Sequence, residues 1–205
     1  VSVQLTEKYR PKNLKECVLP NRIRNPLEKR IKTGSLGHLC FYGKAGIGKT
    51  ATAEAIINEL KTENTYIVNA SLDNSALFIK KLIEFFHTGS LVSGRKIVLL
   101  DEADNLTDNA QKMLKVPLEK TSHLVDVIFC CNDFSKINDA IKSRCLCFNF
   151  NLSPKEDDEV KDSIINRLLD IVKKEKLGLN KKQIEEIYID CNSDIRKMIK
   201  VLTVS

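Results

Sequence analysis

Residues Gly43-Lys44-Ala45-Gly46-Ile47-Gly48-Lys49-Thr50 satisfy the pattern G-x-x-x-x-G-K-[ST]. Glycines at 43, 46 and 48 let a backbone turn tightly and aim successive N–H groups at phosphate oxygens. The apolar Leu39–Tyr42 before them reads as a strand, and Ala51–Leu60 after them as a helix. The start of that helix, with Ala51 in its first turn, adds the positive end of a dipole. Lys49 is placed to reach β- and γ-phosphate oxygens, and the Thr50 hydroxyl to ligate Mg²⁺. Such a stretch binds a nucleotide through its phosphates.

A second group of residues supplies acid chemistry. Ile97-Val98-Leu99-Leu100-Asp101-Glu102 is an apolar run ending in two carboxylates. In a parallel sheet the C-terminal ends of strands face the ligand crevice. There Asp101 would hold Mg²⁺, directly or through water, and Glu102 would act as base toward the water that attacks the γ-phosphate. Together with the glycine loop, the pair describes a site competent for nucleoside triphosphate hydrolysis rather than mere binding. Asn132 follows the apolar Val127–Cys131 and could hydrogen-bond the γ-phosphate or the attacking water; by itself it reads as a turn residue. Arg144, in Ser143-Arg144-Cys145, precedes another apolar run. At a domain edge it could serve a neighbour's nucleotide; otherwise it is a surface arginine.

These residues need a scaffold of alternating strands and helices. Apolar runs at His38–Tyr42, Tyr66–Asn69, Lys96–Leu100, Val125–Cys131 and Cys145–Phe150 have the length of buried strands. Helical patterns lie between them at Lys49–Leu60, Ser75–Phe86, Thr107–Lys120 and Ser135–Lys142, with Gly89 and Gly94 framing a loop before the third strand. The alternation predicts an α/β fold, a parallel sheet with helices on both faces. Beyond Phe150 the strand pattern stops. Ser153-Pro154 offers an N-cap and a proline at N1, and Ile164, Ile165, Leu168, Leu169, Ile171 and Val172 repeat at helical spacing. A further helix is expected from near Asn180 and another over Asp194–Leu202. The boundary therefore falls near 151: a nucleotide-binding core at 1–150 and a small all-helical domain at 151–205.

Across the chain these motifs keep a fixed order: Lys8-Tyr9-Arg10-Pro11, the phosphate loop, Leu99-Leu100-Asp101-Glu102-Ala103-Asp104, Cys131-Asn132, Ser143-Arg144-Cys145 and Asp194-Ile195-Arg196-Lys197. In this it resembles the ATPase subunits of sliding-clamp loaders, the AAA+ family of replication factor C small subunits. Its N-terminal LTEKYRPKNLKECVLP is most similar to the loader subunits of T-even-type bacteriophages. The resemblance implies a five-stranded parallel sheet of order 5-1-4-3-2 with a helical lid. It implies ATP and Mg²⁺ as ligands, and a DNA-stimulated ATPase that opens a sliding clamp and loads it on primer–template DNA. It implies partners as well: the clamp, the DNA backbone, and fellow subunits in a ring or spiral, pentameric in the full-length form. A cytoplasmic location follows, or a nuclear one in a eukaryote. Other DNA-associated AAA+ ATPases, such as helicase loaders, initiators and branch-migration motors, are the alternative.

Residue by residue, the resemblance places Tyr9 and Arg10 at the adenine pocket, Asn132 at sensor 1 and Arg196 at sensor 2 on the lid. Arg144 becomes an arginine finger acting in trans. Asn69 falls where relatives restrain the glutamate until DNA binds. Gln111 falls where the DNA-facing helix is linked to the next subunit, and Lys80 and Thr107 lie near DNA-backbone contacts. Relatives often have Pro-Pro-Gly-Thr-Gly in the loop, where this chain has Lys44-Ala45-Gly46-Ile47-Gly48. A third, collar domain is expected to be missing, since nothing after Leu202 would build it.

Composition is compatible with this reading. The 205 residues carry a net charge of +6. Residues 1–50 hold eleven basic and three acidic residues, while 151–205 hold eleven of each. A basic front half suits an anionic partner. The seven cysteines contain no C-x-x-C pair and mostly sit in apolar runs, so they read as small core residues in a reducing compartment. No run approaches the roughly 20 apolar residues of a membrane span, and the polar first residues carry no secretory signal core.

Overall fold

The computed structural model describes residues 5–87 and 95–203. Gly89 and Gly94, expected to frame a loop, lie outside the described residues. Five strands, β1 (Leu39–Tyr42), β2 (Thr65–Asn69), β3 (Lys96–Asp101), β4 (Val125–Cys131) and β5 (Leu146–Asn149), form one sheet. Its order is β2-β3-β4-β1-β5 and every pairing is parallel. This is the expected order, 5-1-4-3-2, read from the other edge.

Strand alternation distributes the core between two faces. Leu39 and Phe41 of β1, Leu99 of β3 and Ile128 of β4 point to one face. There they pack against α2 (Asn21–Thr33) and α3 (Lys49–Leu60), which follow a short α1 (Leu5–Lys8). Cys40, Val98, Leu100, Phe129 and Cys131 point to the other face, under α4 (Ala76–His87) and α5 (Asp108–Lys120). The cysteines are free thiols, and Cys17, Cys40, Cys130, Cys131 and Cys191 are buried. His38 is a core group too: its Nδ1 accepts from the Val127 N–H at 3.3 Å, and its Nε2 lies 2.8 Å from the Leu118 carbonyl oxygen.

Two local readings differ from the structure. The single helix expected over Ser135–Lys142 is a 3₁₀ turn at Phe134–Lys136 followed by the short α6 (Asp139–Lys142). Asn138 causes the break, because its Oδ1 accepts from the Ile141 N–H at 3.0 Å and starts a new helix. Helix α2 goes unread in the sequence. It is strongly basic, contains Pro26, and buries only the narrow stripe of Ile23 and Leu27.

Among the described residues, helices alone follow β5: α7 (Pro154–Glu175), α8 (Lys181–Cys191) and α9 (Ile195–Val201). They share a separate apolar cluster built on Ile164, Leu168, Ile171, Ile184, Met198 and Leu202. Ser153 and Glu156 form a capping box that starts α7, and Asn180 with Gln183 forms another for α8. No helix of the described residues is long and apolar enough to cross a membrane.

Candidate functional site

Parallel pairing assembles the site, because it brings strand C-terminal ends to one edge. Tyr42 of β1 and Cys131 of β4 are register partners, so the residues that follow them, Gly43 and Asn132, emerge side by side. Asp101 ends β3 on the same edge. The chain then folds from β1 through the glycine loop into α3, with Gly48 in a left-handed conformation directly before it. Lys49, at the first turn of α3, retains only 7% of its surface. Its Nζ donates to Gly43 O at 2.8 Å, Lys44 O at 2.7 Å and Asn132 Oδ1 at 3.0 Å. Burial pushes its ammonium below the usual lysine range. The Thr50 Oγ1 lies 3.0 Å from both carboxylate oxygens of Asp101. Those hard oxygens are the donor type Mg²⁺ takes.

Glu102 has φ 52°, a left-handed conformation rare for a residue with a side chain. Its N–H donates to Asp101 Oδ1 at 2.9 Å, and its carbonyl accepts from the Asn105 N–H at 2.9 Å. Strain of this kind costs on the order of 1–3 kcal/mol and persists where neighbours over-determine it. Glu102 lines the cleft together with residues of the phosphate loop.

The cleft is open to solvent. Of the residues read from sequence, Tyr9, Arg10, Ala45, Gly46, Gly48, Lys49, Thr50, Ala51, Asp101, Glu102, Asn132 and Arg196 line it. Gly43, Lys44 and Ile47 complete the loop without lining the cleft wall. Arg10 is tied to α3 through Glu54 at 2.7 Å, and the Tyr9 hydroxyl donates to Glu175 of α7.

Arg144 does not line the cleft of its own chain. Its Nη2 donates to Glu119 Oε2 at 2.7 Å and its Nη1 to Ala140 O at 2.9 Å. Of the four remaining readings, Gln111 is buried. It donates to Leu106 O at 3.2 Å and Lys136 O at 2.9 Å, and accepts from the Asn138 N–H at 2.8 Å, so it joins α5 to the start of α6. Asn69 stands opposite Asp101 in register and its Oδ1 accepts from the Ser71 N–H at 2.8 Å. Thr107 caps α5 through the Ala110 N–H at 3.2 Å, and Lys80 is exposed on α4.

Several participants went unread. Arg167 of α7 lines the cleft and donates to the backbone carbonyls of Glu16 and Tyr9. Asp104 accepts from the N–H groups of Asn132, at 3.3 Å, and Asp133, at 3.1 Å, which fixes the end of β4. Asp194 caps α9 and sits against the loop: a Cβ on Gly46 would come within 2.1 Å of its Oδ1. Gly46 thus serves both its φ of 80° and the approach of the helix that carries Arg196. Asp104 and Asp194 had local signals, the one as the last residue of the Asp-Glu-Ala-Asp run and the other as the start of the helix expected over Asp194–Leu202.

Comparison with known proteins finds relatives in sequence and in fold. The chain is 39% identical over 202 residues to the replication factor C small subunit of Sulfolobus acidocaldarius, covering 96% of this chain and 60% of that protein. It is 38% identical to the corresponding protein of Picrophilus torridus, covering 96% and 62%. The chain thus spans about three-fifths of the length of these curated relatives. Among solved structures, the Thermotoga maritima RuvB Holliday junction branch migration motor superposes with a TM-score of 0.73 over 95% of this chain and 64% of that one. At 20% identity that likeness speaks for the fold alone. Residues 39–152 match the ATPase family associated with various cellular activities. With its phosphate loop, paired strand-end carboxylates and parallel sheet in place, the chain belongs to that family, the AAA ATPases.

Proposed function

We propose that this chain is the nucleotide-hydrolysing part of a sliding-clamp loader subunit, which uses ATP to open a clamp and set it on primer–template DNA. The observation that carries the reading is one cleft lined by Lys49, Thr50, Asp101, Glu102 and Asn132 from the sheet edge and by Arg196 from the helices beyond β5. Similarity to replication factor C small subunits over 96% of this chain supports the choice of loader over other AAA functions.

In this reading residues 1–150 are the core and 151–205 the lid. Glycine-loop amides and Lys49 bind the triphosphate, and Tyr9 and Arg10 border the base. Thr50 and Asp101 would hold Mg²⁺, which neutralises phosphate charge when bound. Glu102 takes a proton from the attacking water, and Asn132, already bonded to Lys49, orients the reacting groups. Arg196 reports the nucleotide to the lid. Arg144 is not part of its own cleft and completes a neighbour's site, which requires assembly with other subunits. The basic N-terminal fifty residues suit contacts to the DNA backbone or nucleotide phosphates.

The test is steady-state ATP hydrolysis by the assembled loader, alone, with primed DNA, and with primed DNA plus clamp. Stepwise stimulation by DNA and then by clamp is expected. Turnover indifferent to both would refute the loader assignment while leaving the ATPase intact.

A further inference from the structure

We propose that Asn151 is a positioning residue that ties the joint before α7 to the phosphate loop and holds Lys49 in place through a single peptide. The inference rests on the nucleotide-site reading above and adds a residue that reading does not use. Asn151 lies between the end of β5 and the capping box of α7. Its Oδ1 accepts from the Lys44 N–H at 2.9 Å. The carbonyl of that same peptide, Gly43 O, accepts from Lys49 Nζ at 2.8 Å, and the next one, Lys44 O, at 2.7 Å. The Gly43–Lys44 peptide is therefore gripped on both sides, by the joint at its N–H and by the phosphate-binding ammonium at its carbonyl. Lys49 Nζ continues the chain of bonds to Asn132 Oδ1 at 3.0 Å.

Two further observations mark the contact as built. A Cβ on Gly43 would lie 2.9 Å from Asn151 Oδ1 and 3.1 Å from its N, so only glycine there admits the joint so near the loop. Asn151 is itself held, since its N–H donates to Asn149 Oδ1 at 3.0 Å and its carbonyl accepts from Arg22 Nη2 at 3.0 Å. The same Arg22 pairs with Glu156, the residue that closes the capping box of α7. Arg22 of α2 thus links Glu156 of α7 to Asn151, and Asn151 links both to the Gly43–Lys44 peptide. The network is contiguous and made of directional bonds, and the coupling between its members is what a double-variant comparison measures.

The chemistry of position 44 makes the idea testable. The bond needs an N–H donor at 44, and proline has none. Affinity for a fluorescent N-methylanthraniloyl ATP with Mg²⁺ is measured for the parent chain, Asn151→Ala, Lys44→Pro and the double variant, with Lys49→Ala as control. Melting of each nucleotide-free variant checks that it folds. Asn151→Ala should weaken binding three- to tenfold in the parent. In the Lys44→Pro background it should change binding less than twofold, because the bond is already gone. Equal losses in both backgrounds would make Asn151 a general structural residue and overturn the inference. Unchanged affinity in Asn151→Ala would overturn it too, with the nucleotide site left standing. A parent chain that binds no better than Lys49→Ala would overturn the nucleotide site itself and this inference with it.

Discussion

Lys49→Met removes the ammonium and keeps the aliphatic stem, so it separates charge from packing. In the structure the ammonium is nearly enclosed and makes three bonds, to Gly43 O, Lys44 O and Asn132 Oδ1. Hydrogen bonds to a charged group are worth about 1.5–3 kcal/mol each. If two of the three donors serve phosphate oxygens in the bound state, their loss costs about 3–6 kcal/mol of binding. That raises the Kd for ATP by about 10²–10⁴-fold. Stability should move in a different way. Burial already disfavours this cation, and a methionine relieves that penalty while leaving two loop carbonyls without their partner. The two effects oppose, so the melting temperature of the nucleotide-free variant should shift by less than about 4 °C. Isothermal titration with ATP and Mg²⁺, with calorimetric melting beside it, reads both quantities. A Kd within threefold of the parent would refute the reasoning about Lys49. A collapse of the fold would refute the claim that its charge serves binding more than structure.

Glu102→Gln should bind ATP as the parent does but lose about 10²–10⁴-fold in turnover, since an amide takes no proton from water; an active variant in single-turnover assays would remove Glu102 from that role. Arg144→Ala should leave ATP binding by the isolated chain unchanged and cut hydrolysis in the assembled loader. Mixing it with Glu102→Gln subunits should restore part of the activity, and failure to do so in an exchanging assembly would argue against a finger in trans. Acid should loosen the joint before α7. Arg22 beside Glu156, with help from the Ser153 N–H and hydroxyl, holds that carboxyl at about 2 against a normal 4.5. A folded pKa below the unfolded one gives stability that is complete above about pH 5 and drains away as pH falls toward 2. Glu156→Gln should flatten that part of the stability profile, and an unchanged slope in acid melting curves would exclude the pair as its source.

The phosphate loop was legible in the sequence because its function is backbone geometry, and local residues dictate it. Glycines at 43, 46 and 48 adopt positive φ, a strand feeds them and a helix leaves them, all within about twenty residues. Asp101 and Glu102 were legible for a similar reason, since an apolar strand ending in acids announces both its burial and its exposed end. The strand-and-helix alternation gave the fold class, and the family resemblance supplied the strand order, which no local pattern encodes. Helix α2 escaped because proline and heavy charge masked a stripe only two buried residues wide.

What distance in sequence separates, only folding could join. Asn132 meets Lys49 across 83 residues, Arg167 holds Tyr9 across 158, and Asn151 accepts from Lys44 across 107. Arg167 and Asn151 carry no mark of their roles, because an arginine or asparagine that bonds a distant backbone looks in sequence like any surface polar residue. Their partners are peptide groups, which every residue has. Asn132 is marked only by its place after an apolar strand, and its partner, the Lys49 ammonium, is supplied by the fold. The chain's own residues therefore specified where phosphate would bind, while tertiary contacts decided what holds the site: Asn151 on the loop, Arg167 on Tyr9, and Asp104 at the end of the strand that leads to Asn132.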